Sequence, residues 1–216
     1  MQARSFPRAP LLTIVLGSGD SDPRGRLLLA MAEALAEQGF AQTSVADVVR
    51  RARVSKRTFY EHFTSRDECY LATYSALSEA MLGLIKQAAQ IDAPPEQRLA
   101  AACYTYLEAL QSIPEVTRTF FTEIQMAGPL ALKAQRRVHD RFADVMFELL
   151  EQGRSEHPGA RPLSRMMAVA IVGAANELLM KRIDEGKPDK LRDLGDHVVE
   201  LIRALMLIPP ELARPA

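Results

Sequence analysis

The chain has 216 residues, 48% of them hydrophobic, enough for one ordinary domain or two small ones with a substantial core, which sets aside disorder as a description of the whole. Lys plus Arg number 27 and Asp plus Glu number 27, so a polycation coating nucleic acid or anionic membrane is excluded, and an electrostatic partner must meet a local patch. Cys69 and Cys103, with no CxxC and no histidine at ligand spacing, supply neither a disulfide framework nor a zinc site, so no cofactor or metal is expected and a reducing cytoplasm fits.

Arg4 and Arg8 precede an apolar run, Leu11 to Leu16, that falls short of the roughly 7–15 residues of a secretory core. With Gly17-Ser18-Gly19 as a joint, residues 1–21 read as a flexible N-terminal extension. From Asp22 the pattern is all-helical. Asp22-Pro23 is an N-cap with proline at the first helical position, Leu28, Met31, Ala32 and Leu35 repeat at helical spacing, and Gly39 is placed to end the helix. Ser44 and Asp47 have capping-box spacing ahead of a short helix with Val45, Val48, Val49 and Ala52 on one face. Ser55 caps a third helix, with Phe59 and Phe63 on one side and Lys56, Arg57 and Tyr60 off it. Ser65 to Glu68 opens a fourth, carried to about Ala89 by Leu71, Tyr74, Leu77, Met81 and Ile85.

Two short helices joined by a tight turn make a helix-turn-helix, whose second helix can enter a DNA major groove. Residues 50 to 66 hold six cations against one acid, leaving 21 cations against 26 acids elsewhere. The hydroxyls of Thr43, Ser44, Ser55, Thr58 and Tyr60, with the helix starts at Ser44 and Ser55, suit the phosphate backbone. An ordinary solvated helix face accounts equally well for these charges.

Gly39-Phe40, Thr43-Ser44-Val45, Val48 to Ala52, Val54 to Tyr60, His62-Phe63 and Ser65-Arg66 closely resemble the DNA-binding domain of the TetR (tetracycline-repressor) family, over about Arg26 to Tyr74. Two positions depart from its pattern: Arg53 stands where glycine is usual, and Arg66 where lysine is usual. The resemblance implies an all-α chain. A helix-turn-helix domain (22–70) would precede a helical effector-binding and dimerisation domain (71–216), about nine helices in all. It implies a recognition helix from Ser55 to His62, with Lys56 and Arg57 at base edges. Thr58, Tyr60 and His62 would be shared between phosphate and base, Thr43 and Arg66 would clamp the backbone, and Arg53 would add a cation at the turn.

Past Pro94-Pro95 the pattern gives a fifth helix (Glu96 to Gln111), a short sixth between Pro114 and Gly128-Pro129, and a seventh to about Gln152. A polar loop from Gly153 to Pro162 precedes two last helices, parted at Gly186-Lys187-Pro188. The longest nearly apolar stretch, Met166 to Ala175, is about half of the ~20 residues that span a bilayer, so no membrane partner is expected. Tyr104, Tyr106, Phe120, Phe121, Met126, Phe142, Met146 and Phe147, with Asn176 as a polar anchor, are candidates for an effector cavity, although plain core explains such residues too. Small residues Ala170, Gly173 and Ala174, with a heptad-like seam of Leu194, Val198, Leu201 and Leu205, are candidates for a two-fold dimer interface.

The expected function is therefore a ligand-responsive transcriptional regulator of the repressor kind. It would bind double-stranded operator DNA as a homodimer and be released by a small, largely apolar effector. An enzyme has little support: His62, His139, His157 and His197 are scattered, no HExxH occurs, and Gly17-Ser18-Gly19 lacks the rest of a dinucleotide motif. A helical protein-interaction adaptor is the other alternative.

Overall fold

The computed structural model describes residues 22–156 and 162–207, with side chains as far as Leu205. The expected extension 1–21 and residues 157–161 of the loop expected at 153–162 lie outside them, while residues 153–156 of that loop are helical. Among the described residues there are nine α-helices and no strand. They are α1 (Pro23–Gln42), α2 (Val45–Ala52), α3 (Lys56–His62), α4 (Arg66–Ala88), α5 (Pro95–Gln111), α6 (Pro114–Thr122), α7 (Pro129–Glu156), α8 (Arg165–Asp184) and α9 (Gly195–Leu207). Short 3₁₀ turns occupy Ile124–Ala127 and Leu191–Leu194, the second replacing the first turn of the last helix expected from Leu191.

Local chemistry sets the helix starts. Asp22 accepts the N–H groups of Arg24 and Gly25, and Ser164 accepts that of Met167. Gly39 breaks α1 with φ 73° and ψ 174°, a conformation that glycine tolerates and other residues resist. At the start of α4 the capping is divided: Ser65 Oγ accepts Glu68 N–H at 3.1 Å, while the Glu68 carboxylate reaches Thr64, accepting its N–H and its hydroxyl at 2.6 Å each.

The chain forms two compact units. Residues 22–80 and 109–134 make the first, so α6 belongs with the N-terminal helices. Its centre is α1, where Leu27 to Ala32 are all buried, packed against α2, α3 and α6. Val48, Phe59, Phe40 and Tyr70 complete that core, with Phe40 and Tyr70 stacked at 4.3 Å. The second unit comprises residues 81–108 and the described part of the chain from 135. Its core gathers Cys103, Leu150, Leu163, Ile171, Val198 and Ile202, with a smaller cluster of Ala143, Ala168 and Val172.

Candidate functional site

The helix-turn-helix is built by two N-terminal caps and one strained turn. Ser44 and Asp47 form a reciprocal box: Ser44 Oγ accepts Asp47 N–H at 3.2 Å, and Asp47 Oδ2 accepts the Ser44 N–H at 3.0 Å and its hydroxyl at 2.6 Å. Those bonds, the hydroxyl first, hold the Asp47 carboxyl down to about 2. Helix α2 ends at Arg53, the one non-glycine residue of positive φ among the described residues (φ 53°, ψ 45°). The turn therefore keeps a left-handed geometry that glycine ordinarily supplies, here with a side chain in place. Ser55 Oγ accepts Thr58 N–H at 3.0 Å and starts α3.

Phe59 is fully buried and fixes one side of α3 to the core, leaving Ser55, Lys56, Arg57 and Tyr60 exposed and Thr58 and His62 half-buried. The Arg57 side chain is 90% exposed and pairs with Glu61 one turn on, at 3.1 Å. Arg53 and Lys56 have no ion-pair partner among the described residues, whereas Arg50 pairs with Asp47 and Arg51 with Glu37. The candidate DNA contacts from Ser44 to Tyr60 thus share one local construction. Two of the expected contacts have partners within the chain. Thr43 is buried, and its hydroxyl donates to Gly39 O at 2.7 Å, so it has no free surface for a phosphate. Arg66 is half-buried: Nη1 donates to Thr43 O at 3.1 Å and Phe40 O at 3.4 Å, Nε meets Asp67 at 3.1 Å, and the guanidinium lies 4.1 Å from the Phe40 ring centre. It braces the helix-turn-helix from within.

The candidate effector residues are divided between the units. In the first, Phe120 packs on Tyr70 and Tyr74 at 5.3 Å each, Phe121 is half-buried, and Met126 is exposed on a 3₁₀ turn. In the second, Phe142, Met146 and Phe147 pack beside Ala143, Ala168 and Val172, and Tyr106 lies 5.3 Å from Phe142. Tyr104 departs from the expected cavity lining: its hydroxyl donates to Asp196 at 2.5 Å on the surface, with Arg192 4.9 Å over its ring. Asn176 Nδ2 lies 3.0 Å from His139 Nε2, a partner with no local signal because it is 37 residues away. In this orientation the amide donates, which requires a neutral imidazole protonated at Nδ1. Burial holds His139 below its ordinary value, opposed by Asp140. Of the candidate dimer residues, Ala170 and Gly173 are exposed and Ala174 is half-buried; Leu194 and Val198 are buried within the chain, and Leu201 and Leu205 are partly buried.

Comparison with known proteins matches residues 27–73 to the model of bacterial regulatory proteins of the tetR family, and residues 92–206 to a tetracyclin repressor-like C-terminal domain. The chain belongs to the TetR family. It is a TetR-family transcriptional regulator with a helix-turn-helix, and the family is one of regulators rather than enzymes. Among relatives, the HTH-type transcriptional activator FasR of Mycolicibacterium smegmatis is 25% identical over 167 residues, 76% of this chain and 74% of that one. Two solved TetR-like structures share the fold. The fatty acid degradation regulator FadR from Bacillus halodurans has a TM-score of 0.70 at 17% identity, over 84% of this chain and 95% of that one. FadR from Bacillus subtilis, solved in complex with stearoyl-CoA, has a TM-score of 0.70 at 15% identity, over 82% of this chain and 95% of that one. Among the described residues no helix is long and apolar enough to cross a membrane, and no group of three His, Cys, Asp or Glu side chains could hold a metal ion.

Proposed function

We propose that this protein binds a two-fold operator as a homodimer and that an apolar effector in its second unit sets operator affinity. The observation that carries the reading is α3 itself. Phe59 anchors it, while Lys56, Arg57 and Tyr60 are exposed off its buried side, as a helix must present them to enter a major groove. Arg57 is assigned to a base edge and Tyr60 to phosphate. The exposed Ala170 and Gly173 of α8 allow close approach of a second copy.

For the effector, Tyr106, Phe142, Met146, Phe147 and the Asn176–His139 pair of the second unit offer apolar surface with one polar anchor. A long acyl thioester is the class we assign, supported by the stearoyl-CoA complex of FadR from Bacillus subtilis. Helix α4 contributes residues to both units, and a shift of α4 on ligand binding is the proposed link to operator affinity. Repression with release by ligand is the proposed direction; activation is the second reading, favoured by the name of the FasR relative.

The test is retardation of DNA from upstream of the protein's own gene, with and without stearoyl-CoA, over a salt series. We expect a steep fall of log affinity with log salt, about 0.9 per phosphate contacted, and a changed affinity with the thioester. No retardation at low salt would remove the operator reading, and indifference to stearoyl-CoA would remove the effector class. Within the operator, Arg57→Ala should relax preference at one base pair per half-site, and Tyr60→Phe should weaken binding evenly.

A further inference from the structure

Where α1 breaks at Gly39, the N–H of Phe40 loses the carbonyl four residues back that a helix would offer, and a buried donor needs another acceptor. Helix ends commonly meet that need with neighbouring backbone. Here the acceptor comes from 83 residues further along: Glu123 Oε2, just past the end of α6, accepts Phe40 N–H at 2.8 Å. The carboxylate sits so close to the break that a Cβ on Gly39 would stand 3.1 Å from its Oε1. Its side chain is 18% exposed, and Arg118 Nη1 lies 3.5 Å from Oε1.

The rest of the turn is held from the other side. Thr43 N–H donates to Phe40 O at 3.2 Å, the Thr43 hydroxyl to Gly39 O, and Arg66 to both Phe40 O and Thr43 O. The next residue, Ser44, is the cap of α2, so the path of residues 39–43 aims α2 and, through the Arg53 turn, α3. Nearby polar ties between α6 and α4 are weak: Tyr70 reaches Thr119 O only at 3.5 Å, and Thr119 Oγ1 is buried without a partner. The charge-assisted bond from Glu123 is the strong one.

We propose that Glu123 is a positioning residue for DNA recognition, its carboxylate fixing the exit of α1 at Phe40 and with it the aim of α2 and α3. The inference deepens the operator-binding reading and rests on it. The experiment compares the full-length wild type with Glu123→Ala, Glu123→Gln and Arg118→Gln. It measures amide hydrogen exchange over residues 39–44 and affinity for two duplexes of equal length, the upstream fragment and an unrelated sequence.

Glu123→Ala should speed exchange at Phe40 by about tenfold or more and weaken binding to the upstream fragment by a similar factor, the loss expected for a charged hydrogen bond. Glu123→Gln keeps an acceptor and should restore both; Arg118→Gln should change neither. Unaltered exchange in Glu123→Ala would overturn the proposal, as would faster exchange with full DNA affinity, or a glutamine variant as weak as the alanine one. A wild type that binds the two duplexes equally would instead sink the operator reading. The exchange data and the affinity of the variants for unrelated duplex would then still decide the role of Glu123.

Discussion

A Cβ placed on Gly195 would stand 2.1 Å from Cε1 of Tyr104 and 2.6 Å from its Cζ, so ring and glycine occupy one space. Gly195 opens α9, and the Tyr104 hydroxyl is bound to the next residue, Asp196. The tyrosine is thus a joint between α5 and α9. Gly195→Ala should destabilise the protein by about 1–3 kcal/mol, the range of overpacking, and combining it with Tyr104→Ala should recover part of that loss. Additive losses in denaturant titrations of the two single variants and the double would refute the steric coupling.

Arg53 makes two demands of opposite sign. Its left-handed backbone favours glycine, while its exposed guanidinium suits a phosphate. Arg53→Gly should therefore raise stability by about 1 kcal/mol and lower the salt slope of operator binding by about 1. A variant that melts at the wild-type temperature and keeps the wild-type slope would count against both halves.

The Asp47 carboxyl, held near 2 against an ordinary 3.8, supports α2 in its ionised form. A lowered folded-state value means that this support is complete above about pH 4 and disappears as pH falls through about 2. The stability gap between wild type and Asp47→Asn should therefore be constant near neutrality and close across that acid window. Thermal melts of both proteins from pH 5 to pH 2 check it; a gap that persists at the acid end would contradict the capping account.

Burial pushes the thiols of Cys69 and Cys103 up to about 12. Thiolate is the reactive form, so both should resist an aromatic disulfide reagent at pH 8 in the native protein and react together once it is denatured. Because Cys69 lies in the first unit and Cys103 in the second, separate native-state labelling rates would report separate opening of the units. Prompt native labelling of either would be the contrary result.

Gly173 is exposed on α8, and a Cβ there would meet nothing within 4 Å. Gly173→Glu should leave the chain folded while shifting sedimentation from dimer to monomer and reducing operator affinity. A variant that sediments as the wild type does would refute the proposed interface.

Elements capped by near neighbours were the readable ones. Ser44 finds Asp47, Ser55 finds Thr58 and Asp22 finds Gly25, each three residues on, and Gly39 breaks its helix where its lack of a side chain allows. Contacts distant in sequence left no local trace. Nothing near Tyr104 announces Asp196, nothing near Asn176 announces His139, and Arg66 in a basic run looks like a phosphate clamp until its carbonyl partners are placed. The seam of Leu194, Val198, Leu201 and Leu205 was legible as an apolar stripe. Periodicity does not say which chain covers it, and Leu194 and Val198 are covered by their own.

Four of the six cations between residues 50 and 66 already hold a carboxylate: Arg50 with Asp47, Arg51 with Glu37, Arg57 with Glu61 and Arg66 with Asp67. For a guanidinium to reach a phosphate it must exchange one anion for another, and the gain is only the difference between them. Such a surface carries its own counter-ions. On the proposed operator-binding reading, a random polyanion would gain little at these four cations, and the gain would have to come from Arg53 and Lys56, which hold no carboxylate among the described residues, and from a groove that fits Arg57 and Tyr60.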